Sequence, residues 1–135
     1  MRWSAIKKQL MPLFDETMDV EIHLTSLANA KNKGALTHLG KLEIRAKGRL
    51  VWAFPDHFRE ELAEHPLTLG SLMGLLHTYL KLPKAELLSC RLEEDPLHLI
   101  PTLACLDRRV GKRQLRRLSG ETPERILKVA EMRLA

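Results

Sequence analysis

Lys41-Leu42-Glu43-Ile44-Arg45-Ala46-Lys47-Gly48-Arg49-Leu50-Val51-Trp52-Ala53-Phe54 reads as a β-hairpin. Leu42 and Ile44 alternate with Glu43 and Arg45, and Leu50, Trp52 and Phe54 alternate with Val51 and Ala53. Alternation at period two marks a strand with one face buried. Lys47-Gly48 between the two runs supplies the two-residue turn such strands need. Pro55 ends the second strand, because it cannot continue a hydrogen-bonded ladder. Upstream, Val20, Ile22 and Leu24 alternate with Glu21, His23 and Thr25, which adds a third strand. The expectation is a three-stranded antiparallel meander whose apolar face holds Val20, Ile22, Leu24, Leu42, Ile44, Leu50, Trp52 and Phe54. Asn29 to Gly34 reads as a loop.

Outward from the sheet the pattern turns helical. Before it, Trp3, Ile6, Leu10, Leu13 and Phe14 share a helical face, Ser4 is the expected N-cap, and Pro12 ends or kinks the helix near Met11. After it, Asp56 opens a short helix to Glu64, stopped by His65-Pro66. Thr68 caps a longer one with Leu69, Leu72, Met73, Leu75, Leu76, Tyr79 and Leu80 on one side. The segment from Ala85 to Leu92 stays ambiguous. Asp95-Pro96 and Thr122-Pro123 each read as a cap followed by proline at the first helical position. The last helix would send Ile126, Leu127, Val129, Ala130 and Leu134 to the core. The whole is read as α+β: an N-terminal helix, the meander, then four or five helices packed on one sheet face. No linker divides the chain, so one domain is expected over residues 1–135, with helix and sheet in 1–55 and a helical half in 56–135.

The chain has 135 residues, 44% hydrophobic and 29% charged, the balance of a globular domain long enough to bury a core. That excludes disordered and collagen-like chains. No apolar run suffices for a membrane span or a signal peptide, so a cytoplasmic protein is expected. Cys90 and Cys105, separated by fourteen residues, read as free thiols rather than a disulfide framework.

The charge is concentrated. Residues 107–117 hold six basic side chains and one acidic one, so the whole formal net charge of +5 lies in eleven residues. If Leu103 to Leu118 is one helix, steps of about 100° per residue gather Arg108, Arg109, Lys112, Arg113, Arg116 and Arg117 on one half. Leu103, Leu106, Val110, Leu115 and Leu118 take the other. Such a stripe is a footprint for nucleic-acid phosphates, read without base contacts. Arginine outnumbers lysine five to one there, which favours bidentate phosphate or carboxylate contacts. If Gly111 ends a helix instead, the stripe splits onto two surfaces. A solvated face with no ligand is the plainer alternative.

Catalytic patterns are weaker. Ser4 and Lys7 match Ser-x-x-Lys, but the companion motifs are missing. Gly34 to Lys41 approximates a phosphate loop with one residue too many, and Leu42 where a magnesium-binding hydroxyl belongs. The six histidines (His23, His38, His57, His65, His77, His98) show no metal-ligand spacing. No metal or cofactor is expected. Glu21, His23, Glu43 and Arg45 would share the polar sheet face, the one place an enzyme site could lie. Gly70 and Gly74 sit on one helical face; internal packing is the ordinary explanation, and self-association the other. The ranking is therefore a nucleic-acid-binding protein first, a protein-interaction module or homodimer second, and an enzyme third.

Two stretches carry a family resemblance. One is Met1-Arg2-Trp3-Ser4 followed by a Lys-containing amphipathic helix ending Leu13-Phe14. The other is Leu106-Asp107-Arg108-Arg109-Val110-Gly111-Lys112-Arg113-Gln114-Leu115, preceded by Asp95-Pro96-Leu97. With Val20-Glu21-Ile22-His23 between them, they resemble a family of small bacterial proteins that open Met-Arg-Trp-Ser and carry Leu-Asp-Arg-Arg-x-Gly-Lys-Arg late in the chain. Residues 27–92 match poorly, and Pro12 departs from the pattern. The resemblance implies a bacterial cytosolic protein, transfers no catalytic or ligand residue, and directs attention to residues 107–113.

Overall fold

The computed structural model describes residues 2–26 and 40–135. The loop read at residues 29–34, His38 and most of the phosphate-loop-like stretch lie outside the described residues. Helix α1 (Trp3–Leu10) buries Ile6 and Leu10. Its N-cap is Arg2, not Ser4, which already lies inside the first turn. Pro12 does not kink α1; the helix ends and a 3-10 turn, Met11–Leu13, follows with Pro12 in its opening positions. There the missing N–H leaves no helical acceptor unmatched.

Strands β1 (Glu21–Ser26), β2 (Gly40–Ala46) and β3 (Arg49–Phe54) form an antiparallel sheet in the order β1-β2-β3. Ile22 stands opposite Ile44, and Leu42 opposite Phe54. The β2–β3 turn is left-handed at both central residues, Lys47 (φ 52°) and Gly48 (φ 77°), the backbone whose twist matches the strands it joins.

One strand departs from simple alternation. Ile44 pairs with Trp52, but Arg45 pairs with Leu50, leaving Val51 as an extra residue in a β-bulge. The slip takes Leu50 out of the stripe held by Trp52 and Phe54, and Leu50 is half-buried. Leu24 is also half-buried, whereas Ile22, Leu42, Ile44, Trp52 and Phe54 are fully enclosed.

Five helices follow: α2 (Arg59–Glu64), α3 (Leu69–Lys81), α4 (Leu99–Leu106), α5 (Lys112–Arg116) and α6 (Glu124–Leu134). Thr68 Oγ1 accepts from the Ser71 N–H at 3.1 Å, capping α3. Asp56 starts a 3-10 turn, Asp56–Phe58, and α2 begins only at Arg59. Asp95 caps from a distance. Helix α4 starts at Leu99, yet the Asp95 carboxylate accepts from the N–H groups of Leu99 (2.8 Å) and Ile100 (2.9 Å). Pro123 is the N-cap of α6 rather than its first helical residue. All eight residues of α4 are buried, making it the central helix of one continuous core. Trp52 is fixed in that core by Nε1, which donates to the Leu97 carbonyl at 3.0 Å. No helix among the described residues is long and apolar enough to cross a membrane.

Candidate nucleic-acid interface

Residues 107–118 are not one helix. Helix α4 ends at Leu106, Asp107 leaves it in extended backbone, and α5 begins only after Gly111. Gly111 is therefore the N-cap of the second helix, not the end of the first. Its N–H donates to Gln114 Oε1 at 3.2 Å. The six basic residues consequently fall into two groups with different environments.

The first group belongs to a corner built around Asp107, whose side chain is wholly buried. Tyr79 Oη donates to Asp107 Oδ2 at 2.6 Å. Arg109 Nη2 reaches the same oxygen at 2.8 Å, and the Arg109 N–H and Nε donate to Oδ1 at 2.8 and 3.0 Å. Burial pushes the Asp107 carboxyl up, but the hydrogen bonds from Arg109 and Tyr79 outweigh it and hold it below the ordinary carboxylate range. Burial, then the hydrogen bond to Asp107, raises the Tyr79 phenol, which stays protonated and donating.

The chain's N-terminal part is stitched to this corner. The Asp15 N–H donates to the Leu106 carbonyl at 2.8 Å, and the Arg108 N–H to the Leu13 carbonyl at 2.7 Å. Arg108 Nε donates to the Pro12 carbonyl at 2.9 Å. From α6, the buried Arg133 donates to the carbonyls of Cys105, Asp107 and Val110 at 3.0, 2.8 and 2.6 Å. Its Nε lies 2.7 Å from Asp15 Oδ2. One guanidinium thus satisfies carbonyls left open at the end of α4. Arg109 is engaged by Asp107, and Arg108 is tied through Nε to the N-terminal segment while remaining exposed.

The second group is α5 and its C-cap. Lys112, Arg113, Arg116 and Arg117 are exposed and form no ion pair with any described residue. At about 100° per residue they cover an arc of about 140°. Leu115, on the other side, is buried, and Leu118 is half-buried. The helix is a ridge held down by leucine.

His23 stands opposite Glu43 and Glu21 opposite Arg45 as cross-strand neighbours on the sheet's polar face. His23 and Glu21 are exposed. Ser4 is exposed on α1. Burial pushes the Cys105 thiol up to about 12, leaving it protonated. Cys90 is half-buried, and both thiols are free. No group of three or more His, Cys, Asp or Glu among the described residues could hold a metal ion. A side chain at Gly74 would meet nothing within 4 Å, so internal packing does not explain this glycine. A groove of about 710 Å³ runs between Arg49–Val51 and α6, with His57, Arg125 and Lys128 at its wall; no pattern in the residue order marks it. Arg125 lies 4.6 Å above the Phe58 ring, and Lys128 pairs with Glu124 at 3.5 Å.

No family model, curated protein or solved structure matches the chain.

Proposed function

We propose that this chain is a non-enzymatic nucleic-acid-binding protein of the bacterial cytoplasm, and that α5 is its phosphate-contacting surface. We take it as a member of the bacterial family its two terminal motifs resemble. The observation that carries the binding reading is the state of Lys112, Arg113, Arg116 and Arg117. All four are exposed on one arc, and none forms an ion pair with a described carboxylate. Arg108 flanks them with its outer guanidinium nitrogens free of described partners. Such a surface contacts phosphates by charge, not bases by pattern.

Fluorescence anisotropy with labelled nucleic acid tests it. Binding should be micromolar at low salt and weaken as salt rises. Four cations, five with Arg108, release at most about 4.5 counterions, so the slope of log K against log salt should be no steeper than about −4.5. Absence of binding at low salt would overturn the reading. A second reading has its own observation. The open α3 face at Gly74, beside a depression of about 400 Å³ lined by Leu67, Ser71, Thr78 and Leu92, favours self-association. Sedimentation equilibrium showing a dimer that Gly74→Leu dissociates would support it.

A further inference from the structure

We infer that the ligand of α5 is a double helix in preference to a single strand; this rests on the phosphate-binding reading above and sharpens it. Three features of the ridge carry the inference.

The first is charge spacing. From Lys112 to Arg117 the chain advances about 7.5 Å at 1.5 Å per residue. The two strands of a duplex share that axial length, so its phosphate charge is denser than a single strand's, and each phosphate neutralised releases about 0.9 counterions from a duplex against about 0.7 from a single strand. Four cations with no described ion-pair partner therefore gain more from a duplex.

The second is the position of the aromatic residues. Proteins that prefer single strands hold bases by stacking them on aromatic rings in a cationic channel. Of the six aromatic residues of the chain, Phe14, Trp52, Phe54, Phe58 and Tyr79 are buried, and Trp3 is half-buried against the core. None lies on α5. The ridge is also convex: Gly111 to Gln114, Arg116 and Arg117 are all exposed around the single buried Leu115.

The third is Gln114. It is the one side chain on α5 with both a donor and an acceptor able to read a base edge. Its Oε1 is turned back onto the Gly111 N–H at 3.2 Å. What remains on the ridge is a set of cationic donors, which suit phosphate oxygens and, among base edges, only guanine O6 and N7; phosphate contact is the expected mode.

The experiment uses the full chain and three probes: a mixed-sequence DNA duplex, a duplex of shuffled sequence, and an oligothymidine strand with the same number of phosphates. Both duplexes should bind equally, and about tenfold more tightly than the strand at about 50 mM salt, as about 0.8 additional released counterions over four contacts imply. Arg113→Ala/Arg116→Ala should abolish duplex binding while its circular dichroism melt stays that of the parent. Equal or tighter binding of the strand overturns the duplex inference and leaves phosphate binding standing. A preference between the two duplexes overturns phosphate-only contact. Failure of every probe to bind overturns the phosphate reading itself.

Discussion

Residues 107–110 and residues 112–117 adjoin in the chain and are both rich in arginine, yet they sit in opposite environments. In the first, Arg109 locks onto a buried carboxylate that also holds Tyr79. In the second, four cations face solvent with no ion-pair partner among the described residues. The dividing residue is Gly111, where the chain leaves the corner and starts a new helix. Net charge over a window therefore says little about what each charge does. Burial and partner separate a joint from a binding surface, and mutation should separate them in the same way.

The largest expected effect is at Asp107. Asp107→Ala leaves the Tyr79 hydroxyl and a half-buried guanidinium without their acceptor. Breaking such a pair from one side costs about 3–5 kcal/mol, read as a lower urea midpoint at unchanged slope. A shift under about 1 kcal/mol would mean the corner is not a joint. Next comes Arg133→Met, which keeps most of the stem packing but strips three carbonyls of their donor and Asp15 of its ion pair. A loss of about 2–3 kcal/mol is expected from unsatisfied buried acceptors.

Acid titration sharpens the same contrast. The folded state holds the Asp107 carboxyl below its ordinary value. Its stabilisation is therefore complete above the unfolded pKa of about 3.9 and is lost as pH falls through the lower folded value. Asp15 shifts in the same direction, held down first by Thr17 and then by Arg133. Asp95 has the opposite sign: burial raises its carboxyl despite two backbone donors. Its ionised form is disfavoured in the fold, and protonation on acidification offsets part of the loss. Wild-type stability should fall below about pH 4, and Asp107→Asn should flatten that limb while leaving the Asp15 and Asp95 contributions.

Much of the fold was legible because it follows local rules. Ile22, Leu42, Ile44, Trp52 and Phe54 alternate and lie on one buried face; Lys47-Gly48 turns as expected; Thr68 caps α3. The bulge at Val51 was not legible, because Leu50, Trp52 and Phe54 alternate equally well with or without an inserted residue. The basic run was ambiguous for a related reason. Leu103 to Leu118 fits a helical period throughout, and what interrupts it is tertiary: Tyr79, 28 residues away, and Arg133, 26 residues away. A signal was nonetheless present. Asp107 lies in the apolar stripe of Leu103, Leu106 and Val110, and Arg133 in that of Ile126, Val129 and Ala130. A charge placed on an apolar helical face marks a buried partner.

The smallest effect on stability should be the most diagnostic for function. Arg109→Gln and Arg113→Gln remove the same charge from residues four apart. Arg109→Gln opens a buried ion pair at 2.8 Å and should lower the melting midpoint clearly. Its effect on duplex binding should be slight, since its guanidinium is already engaged. Arg113→Gln touches no described partner, so the melt should stay put while the salt slope drops by about 0.9, one released counterion fewer. Equal effects of the two variants on the salt slope would mean that Arg109 turns outward to bind. The division at Gly111 would then fail, and the corner and the ridge would act as one surface.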